Sequence, residues 1–357
     1  MIRQSPSASH QSPAFPGRGS SISPANRFEK LSVELDEEFA AEAAAPKTQF
    51  LVDDTKSLIT TNDSPDIPFR SSFNAYRGCE HGCAYCYARP YHEYLGFNSG
   101  IDFETKILVK LRAPELLRRE LSSEKWQPQA LAMSGVTDCY QPVERKLELT
   151  RRCLEVLLEF RNPVGIVTKN ALVTRDLDLL APLAAFRCAR VFLSITTLDR
   201  GLAQKLEPRA AMPRARLDTV RQLAAAGVPV GVLCAPIIPG LNDHEIPALL
   251  EAAAEAGAGL AGFTILRLPY AVKDVFSAWL DRHYPGHKEK ILARVRDLRG
   301  GKLNDSRFGR RMSGEGFWAE QIEQLFEKCA ARLGLNRPAP PMTTEHFRRP
   351  REQLTLF

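Results

Sequence analysis

Arg77-Gly78-Cys79-Glu80-His81-Gly82-Cys83-Ala84-Tyr85-Cys86-Tyr87 places three thiols in one short, glycine-broken loop, at spacings of four and then three residues. Thiolates gathered this closely call for a metal. Four cysteines complete the usual iron–sulfur cluster, and tetrahedral zinc also takes four protein ligands, but this loop supplies three. A [4Fe–4S] cubane on Cys79, Cys83 and Cys86 would leave one iron without a protein ligand from the loop and open to a small molecule. That layout belongs to an enzyme more than to an electron carrier. Gly78 and Gly82 let the backbone turn its amides toward the sulfurs, and Tyr85 offers a flat face beside the open iron. A structural zinc site is the competing reading; it needs a distant fourth ligand such as His81, His92 or Cys139.

Downstream of the loop, short apolar runs alternate with amphipathic segments, the pattern of parallel βαβ units. Strands are expected at 130–133, 165–168, 191–195, 228–233 and 262–266, and helices at 114–121, 147–160, 177–185, 217–226 and 245–256. With a first strand near 73–77 this makes six βα units. Eight would close a barrel, so the fold predicted is α/β, a partial (βα)6 TIM-like barrel with a helical C-terminal extension. Beyond Lys273 the alternation stops, and helices at 275–284, 288–298 and 316–333 are expected to cover the barrel's open side or bottom. Basic residues Arg294, Arg296, Arg299, Lys302, Arg307, Arg310 and Arg311 crowd this extension and interleave with Phe308, Phe317 and Trp318. They read as a solvated face or a phosphate-gripping surface.

Four regions follow. Residues 1–49 are rich in Ser, Pro and Gln, then acidic, and are expected to be a disordered tail, although Gly17-Arg18-Gly19 and Asn26-Arg27-Phe28-Glu29 could dock on the body or on nucleic acid. Residues 50–270 form the barrel, 271–335 the helical extension, and 336–357 a flexible tail. The chain has 357 residues, of which 44% are hydrophobic, enough for a substantial core. No segment approaches the ~20 uninterrupted apolar residues that span a bilayer, and the first residues lack a signal-peptide core, so a cytoplasmic protein without membrane partners is expected. Eight cysteines, three clustered, read as a metal set plus buried thiols. A net charge of +6 leans toward a polyanionic partner such as nucleic acid.

In a parallel barrel, ligands sit at the carboxyl ends of the strands. Ser134 and Gly135 end the second strand, Lys169 and Asn170 the third, and Ser194, Thr196 and Thr197 the fourth. The run 236–240 forms an apolar slot after the fifth, and Arg267 and Tyr270 follow the sixth. One such position alone is ordinary capping; recurrence at successive strands marks a site.

The C-x3-C-x2-C spacing resembles the radical S-adenosylmethionine (SAM) superfamily, and within it the spore photoproduct lyase group. The likeness rests on Cys79 to Tyr87, Thr137-Asp138 after Ser134, Thr168-Lys169-Asn170 leading to Arg175-Asp176, and Ser194-Ile195-Thr196. It implies a [4Fe–4S] cluster on Cys79, Cys83 and Cys86, with SAM chelated by the open iron. It also implies SAM contacts from Tyr85, Ser134, Gly135, Lys169, Ser194 and Thr196, and a hydrogen-relay role for Tyr85 and Tyr87. The expected function is reductive SAM cleavage to a 5′-deoxyadenosyl radical that abstracts hydrogen from DNA in damaged-base repair, with flavodoxin or ferredoxin as electron donor. Modification of RNA or protein, or a cluster-bearing sensor that never cleaves SAM, are the alternatives. One departure matters: the lyase has a hydrogen-donating cysteine directly before the serine of its second strand, where this chain has Met133. Cys139 would substitute only if it faces the pocket.

Gln353-Leu354-Thr355-Leu356-Phe357 ends the sequence given. It resembles the peptide by which bacterial DNA polymerases and repair proteins dock on the replication sliding clamp; a tail folded back on its own domain is the other reading.

Overall fold

The computed structural model describes residues 17–29, 46–338 and 340–350. Its strands, in chain order, are β1 (Gln49–Val52), β2 (Thr60–Thr61), β3 (Ser71–Phe73), β4 (Tyr76–Arg77), β5 (Lys106–Val109), β6 (Leu131–Met133), β7 (Val164–Thr168), β8 (Ala189–Ser194), β9 (Val230–Ile237) and β10 (Leu260–Ile265). The α-helices are α1 (Asp102–Thr105), α2 (Ala113–Ser122), α3 (Glu144–Leu147), α4 (Leu149–Phe160), α5 (Leu177–Ala185), α6 (Arg200–Leu206), α7 (Pro213–Ala225), α8 (Ile246–Glu255), α9 (Val272–His283), α10 (Lys288–Asp297) and α11 (Phe317–Leu333).

The main sheet runs β10-β9-β8-β7-β6-β3-β2. From β3 to β10 every pairing is parallel, and only the short β2 is antiparallel. Six parallel strands in chain order are the expected βα units. Because β10 and β2 are the two ends of this order, the sheet stays open, a partial barrel. The central strands are largely buried, as in β8, where Ala189, Val191, Leu193 and Ser194 are all covered; in β7 Val164, Ile166 and Thr168 are covered and Val167 is exposed. Helix α4 shows the matching period, burying Leu149, Cys153, Leu154, Val156, Leu157 and Phe160 on one stripe.

Two expected elements are divided. The strand anticipated at 73–77 leaves the main sheet after Phe73, and Tyr76–Arg77 pair with β5 in a second sheet of order β1-β5-β4. Asn74 sits at the break, its Oδ1 accepting the amides of Val136 at 3.3 Å and Thr137 at 3.4 Å. The helix expected at 147–160 is cut at Glu148, which has φ 51°. There the Glu144 carboxylate accepts Thr150 N at 3.0 Å and the Tyr76 hydroxyl at 2.5 Å, a cap that restarts the helix as α4.

The C-terminal helices serve two places. Helices α9 and α10 build a second apolar core with Cys83, Ala84 and Tyr85 of the thiol loop and with Leu202 and Leu206 of α6. Helix α11 covers the open edge: Phe326 lies 4.7 Å from Phe263 of β10, while Ala261 N and Ile265 N donate to the carbonyls of Leu335 and Met312, both at 2.9 Å. The exposed amides of an edge strand are thereby satisfied. Much of the basic run is consumed in this packing. Arg299 is buried and donates to the carbonyls of Leu266, Arg310 and Arg311; Arg307 and Arg310 pair with Glu315, and Arg311 with Asp66. Arg299 and Arg311 are thereby withdrawn from a phosphate-gripping surface, while the Arg307 and Arg310 side chains stay 57% and 50% exposed.

Residues 17–29, expected within a disordered tail with docking on the body as the alternative, lie against the thiol loop. Ser20, Ser21 and Ile22 are buried; the amides of Gly19 and Ser20 donate to Glu104 at 2.9 and 2.8 Å, and Glu104 also pairs with buried Arg89 at 2.6 Å. A Cβ on Gly19 would fall 1.6 Å from the Gly82 carbonyl oxygen, so only glycine permits this approach. The composition of the segment concealed a specific backbone fit. Likewise residues 340–350, expected in the flexible tail, are strapped across the helix and strand ends opposite the thiol loop. Thr343 N donates to Arg187 O at 3.1 Å, Arg348 N to Phe160 O at 2.9 Å, and Phe347 meets Phe160 at 6.2 Å. Residues 353–357 lie outside the described residues. Among the described residues no helix is long and apolar enough to cross a membrane.

Candidate active site

The thiol loop is held from three sides. Arg89 donates from Nε and Nη2 to the Cys83 carbonyl at 3.0 and 2.9 Å; Cys79 N donates to Phe103 O at 2.9 Å; and Ala84 N donates to Leu206 O at 3.0 Å. His81 is clamped between Asp138, 3.4 Å from its Nδ1, and Asn170, 3.1 Å from its Nε2. Burial alone would lower its pKa, but Asp138 outweighs that and raises the imidazole to about 10. Asp138 also accepts Thr168 Oγ1 and Lys169 N, both at 2.7 Å. One carboxylate thus fastens the loop to the ends of β6 and β7.

Cys79 and Cys83 are buried and Cys86 is half-buried. Burial, then the nearby Glu207 carboxylate, pushes the Cys83 thiol well up; burial and then the Cys79 thiol push Cys86 to about 11, with Arg89 opposing. Thiolates crowded like this are unfavourable alone and are relieved by a metal's positive charge, so the donor set fits a cluster. Among the described residues no three His, Cys, Asp or Glu side chains converge enough to hold a single ion. A cubane does not require that, because its three thiolates serve three different irons.

At the strand ends, Lys169, Ser194 and Thr196 come together as expected, around a residue the sequence did not flag. Lys169 Nζ donates to Ser194 Oγ at 2.5 Å and to Ala235 O at 3.1 Å and stands 3.6 Å from Glu207. Thr196 Oγ1 donates to Glu207 at 2.6 Å, and the Tyr85 hydroxyl and Arg216 also bond to that carboxylate. Burial by itself would raise Glu207, but Arg216 and then Lys169, with hydrogen bonds from Thr196 and Tyr85, hold it at about 2. Arg216 is fully buried and donates to Ser194 O and Ala211 O, both at 2.7 Å. Nothing local marks Glu207 or Arg216; each lies past a strand end, on or beside a helix, where a single charged residue looks like solvent-facing surface.

Ser134 adopts φ 80°, a left-handed conformation costly for a non-glycine residue, and its Oγ accepts Cys139 N at 2.9 Å. The amides of Val136 and Thr137 go to Asn74 and are not free to meet a ligand. Gly135 O accepts the Tyr87 hydroxyl at 2.7 Å. Tyr85 is buried with its hydroxyl in the Glu207 network, whereas Tyr87 is exposed at the mouth. Cys139 is buried in the main core, with its carbonyl accepting Thr150 Oγ1 at 2.6 Å; Met133 is buried in the same core.

An open six-stranded parallel sheet, three thiols in the loop beyond its first strand and a lysine–hydroxyl set at the later strand ends define an iron–sulfur enzyme of the radical type. Residues 73–253 match the profile of the Radical SAM superfamily, and the chain belongs to that superfamily. Its family uses a [4Fe–4S] cluster and SAM, which sets the zinc alternative aside, and makes the chain an enzyme of SAM-dependent radical chemistry. An uncharacterised protein of Mycobacterium tuberculosis is 36% identical over 286 residues, covering 78% of this chain and 79% of the relative. A radical SAM Nalpha-GlyT isomerase of Pseudomonas phage M6 is 24% identical over 259 residues, covering 72% of this chain and 50% of the relative. In fold, the chain is similar to spore photoproduct lyase complexed with dinucleoside spore photoproduct, at TM-score 0.56 and 19% identity over 80% of this chain and 79% of the lyase.

Proposed function

We propose that this enzyme acts on DNA, in the repair of damaged bases, with Cys79, Cys83 and Cys86 holding the cluster. Tyr85, Ser134, Gly135, Lys169, Ser194 and Thr196 line the SAM position. The observation that carries the assignment of residues is the convergence of Lys169, Thr196 and Tyr85 on Glu207, with Ser194 held by Lys169, beside the thiol loop. When bound, cluster and SAM supply a 5′-deoxyadenosyl radical able to abstract hydrogen. The chain's own residues orient and enclose. Lys169 and Arg216 balance the buried Glu207, which fixes the hydroxyls of Tyr85 and Thr196, while Lys169 holds the Ser194 hydroxyl; the α9–α10 core excludes water from behind the loop.

Support for DNA comes from the net charge of +6 and from the likeness to a lyase solved with a dinucleoside photoproduct. The lyase's reaction does not transfer unchanged. Met133 has no S–H, and Cys139 lies in the core. Tyr87, exposed at the mouth with its hydroxyl on Gly135 O, is better placed than Tyr85 to meet a substrate. Flavodoxin or ferredoxin would supply the electron, and residues 353–357 would tether the enzyme to a sliding clamp.

Anaerobic incubation with dithionite and SAM should yield 5′-deoxyadenosine, and Cys83→Ala should abolish it; unchanged turnover in that variant refutes the ligand assignment. Irradiated DNA should then be altered in a SAM-dependent manner, with undamaged DNA left intact. Equal absence of change in both would remove the repair reading.

A further inference from the structure

Five of the chain's exposed aromatic residues, Phe28, Tyr87, Tyr91, Tyr94 and Tyr270, gather beside the thiol loop and the end of β10. Tyr91 and Tyr94 lie three apart on the 3-10 turn Arg89–Leu95, so they share a face. Phe28, brought in by the docked N-terminal segment, sits 4.8 Å from Tyr94. The Arg27 guanidinium lies 3.7 Å over the Tyr270 ring and 5.0 Å over Phe28. Its charge is already neutralised by the fully buried Glu93, which leaves Arg27 as a flat stacking plane. At the inner end of the wall Arg267 lies 5.3 Å over Tyr87, whose hydroxyl reaches the Gly135 carbonyl.

Arg267 differs from Arg27 in having no carboxylate. Among the described residues its polar contact is the Met312 sulfur at 3.2 Å, and its buried Nε–H has no acceptor. A half-buried guanidinium left so awaits an anion. One free cation followed by a row of flat faces matches one phosphate followed by unstacked bases: every base has a π-face, and stacking on aromatic and arginine planes does not depend on its identity. A peptide would offer few planes, and a duplex keeps its bases stacked on one another.

We infer that this wall binds an unpaired strand of DNA, with a backbone phosphate on Arg267 and successive bases on Tyr91, Tyr94, Phe28 and Tyr270. The inference deepens the DNA reading and rests on it. Binding is therefore led by bases rather than by charge, and an unpaired stretch or an extruded base is the form in which substrate meets the mouth.

The test is fluorescence anisotropy on the full-length holoenzyme with labelled 12-mers: oligo-dT, oligo-rU, an abasic deoxyribose-phosphate strand, a DNA duplex and an acidic peptide. Oligo-dT should bind at least tenfold tighter than the abasic strand and the duplex and no weaker than oligo-rU; tighter binding of oligo-rU would overturn the commitment to DNA. Tyr94→Ala and Tyr270→Ala should each weaken oligonucleotide binding by roughly five- to a hundredfold, and Tyr94→Ala should leave 5′-deoxyadenosine formation in the absence of substrate unchanged. Arg267→Met should flatten the salt dependence by about one phosphate's share, a slope change near 0.7. Equal binding of abasic and base-bearing strands, undiminished affinity in Tyr94→Ala with Tyr270→Ala, or preference for the acidic peptide would overturn it. A protein that binds strands in this manner but forms no 5′-deoxyadenosine would sink the radical-site assignment and leave the wall standing.

Discussion

Glu207→Gln isolates the charge at the centre of the site with little change of shape. The carboxylate is 1% exposed and faces Arg216, equally buried, with Lys169 3.6 Å away. Removing one partner of a buried pair strands the other and costs about 3–5 kcal/mol. A second route gives a similar figure: the gap between about 2 and the ordinary 4.5, at roughly 1.36 kcal/mol per pH unit, is about 3 kcal/mol. The folded pKa lies below the unfolded one, so this stability is complete above pH ~4.5 and is lost as pH falls through about 2. Urea unfolding of cluster-free protein, followed by circular dichroism, should show the variant about 3 kcal/mol less stable at pH 7 and roughly 1.5 kcal/mol less stable at pH 3. SAM binding should weaken as well, since Tyr85, Lys169 and Thr196 lose their common acceptor. A deficit under 1 kcal/mol at pH 7, or one that stays constant with pH, would refute the view that this carboxylate organises the site.

Gly19→Ala should lift residues 17–29 off the thiol loop; two hydrogen bonds to Glu104, at ~1.5 kcal/mol each, put the loss near 3 kcal/mol. Hydrogen exchange should quicken across that segment and purified iron content should drop, whereas unchanged exchange would show that the contact with Gly82 is not made. Phe347→Ala should cost about 1–2 kcal/mol through its half-buried ring on Phe160, read as a lower thermal midpoint, and a neutral result would mean that the 340–350 strap adds no stability. Deleting residues 353–357 should abolish capture by purified sliding clamp while leaving 5′-deoxyadenosine formation intact; equal capture with and without them removes the tether.

Much of this molecule was legible in the residues themselves. The three-thiol loop is a local pattern, and cluster chemistry depends on spacing within a few residues. The parallel strands announced themselves as apolar runs because strands covered on both faces need little alternation, and Lys169, Ser194 and Thr196 were found by sitting just past such runs. Neighbouring residues in sequence carried all of that information. Glu207 and Arg216 were not legible, because what makes each a site residue is the opposite charge that folding buries beside it. Part of the basic run misled for the same reason: Arg299 and Arg311 look like free charge until the fold supplies their carbonyls and carboxylate. Residues 17–29 read as tail because their composition is poor in apolar groups, yet a glycine-on-glycine approach and two amides aimed at Glu104 hold them in place. Sequence by itself determined the spacing of the three thiols, whose resemblance to a known family implied the cofactor chemistry, and the alternation of strands and helices, since both are written in short stretches of chain. Tertiary structure alone decided which charges are neutralised, that Arg267 has no carboxylate beside it among the described residues, and which aromatic rings meet beside the thiol loop, since those depend on distances between residues far apart in the chain.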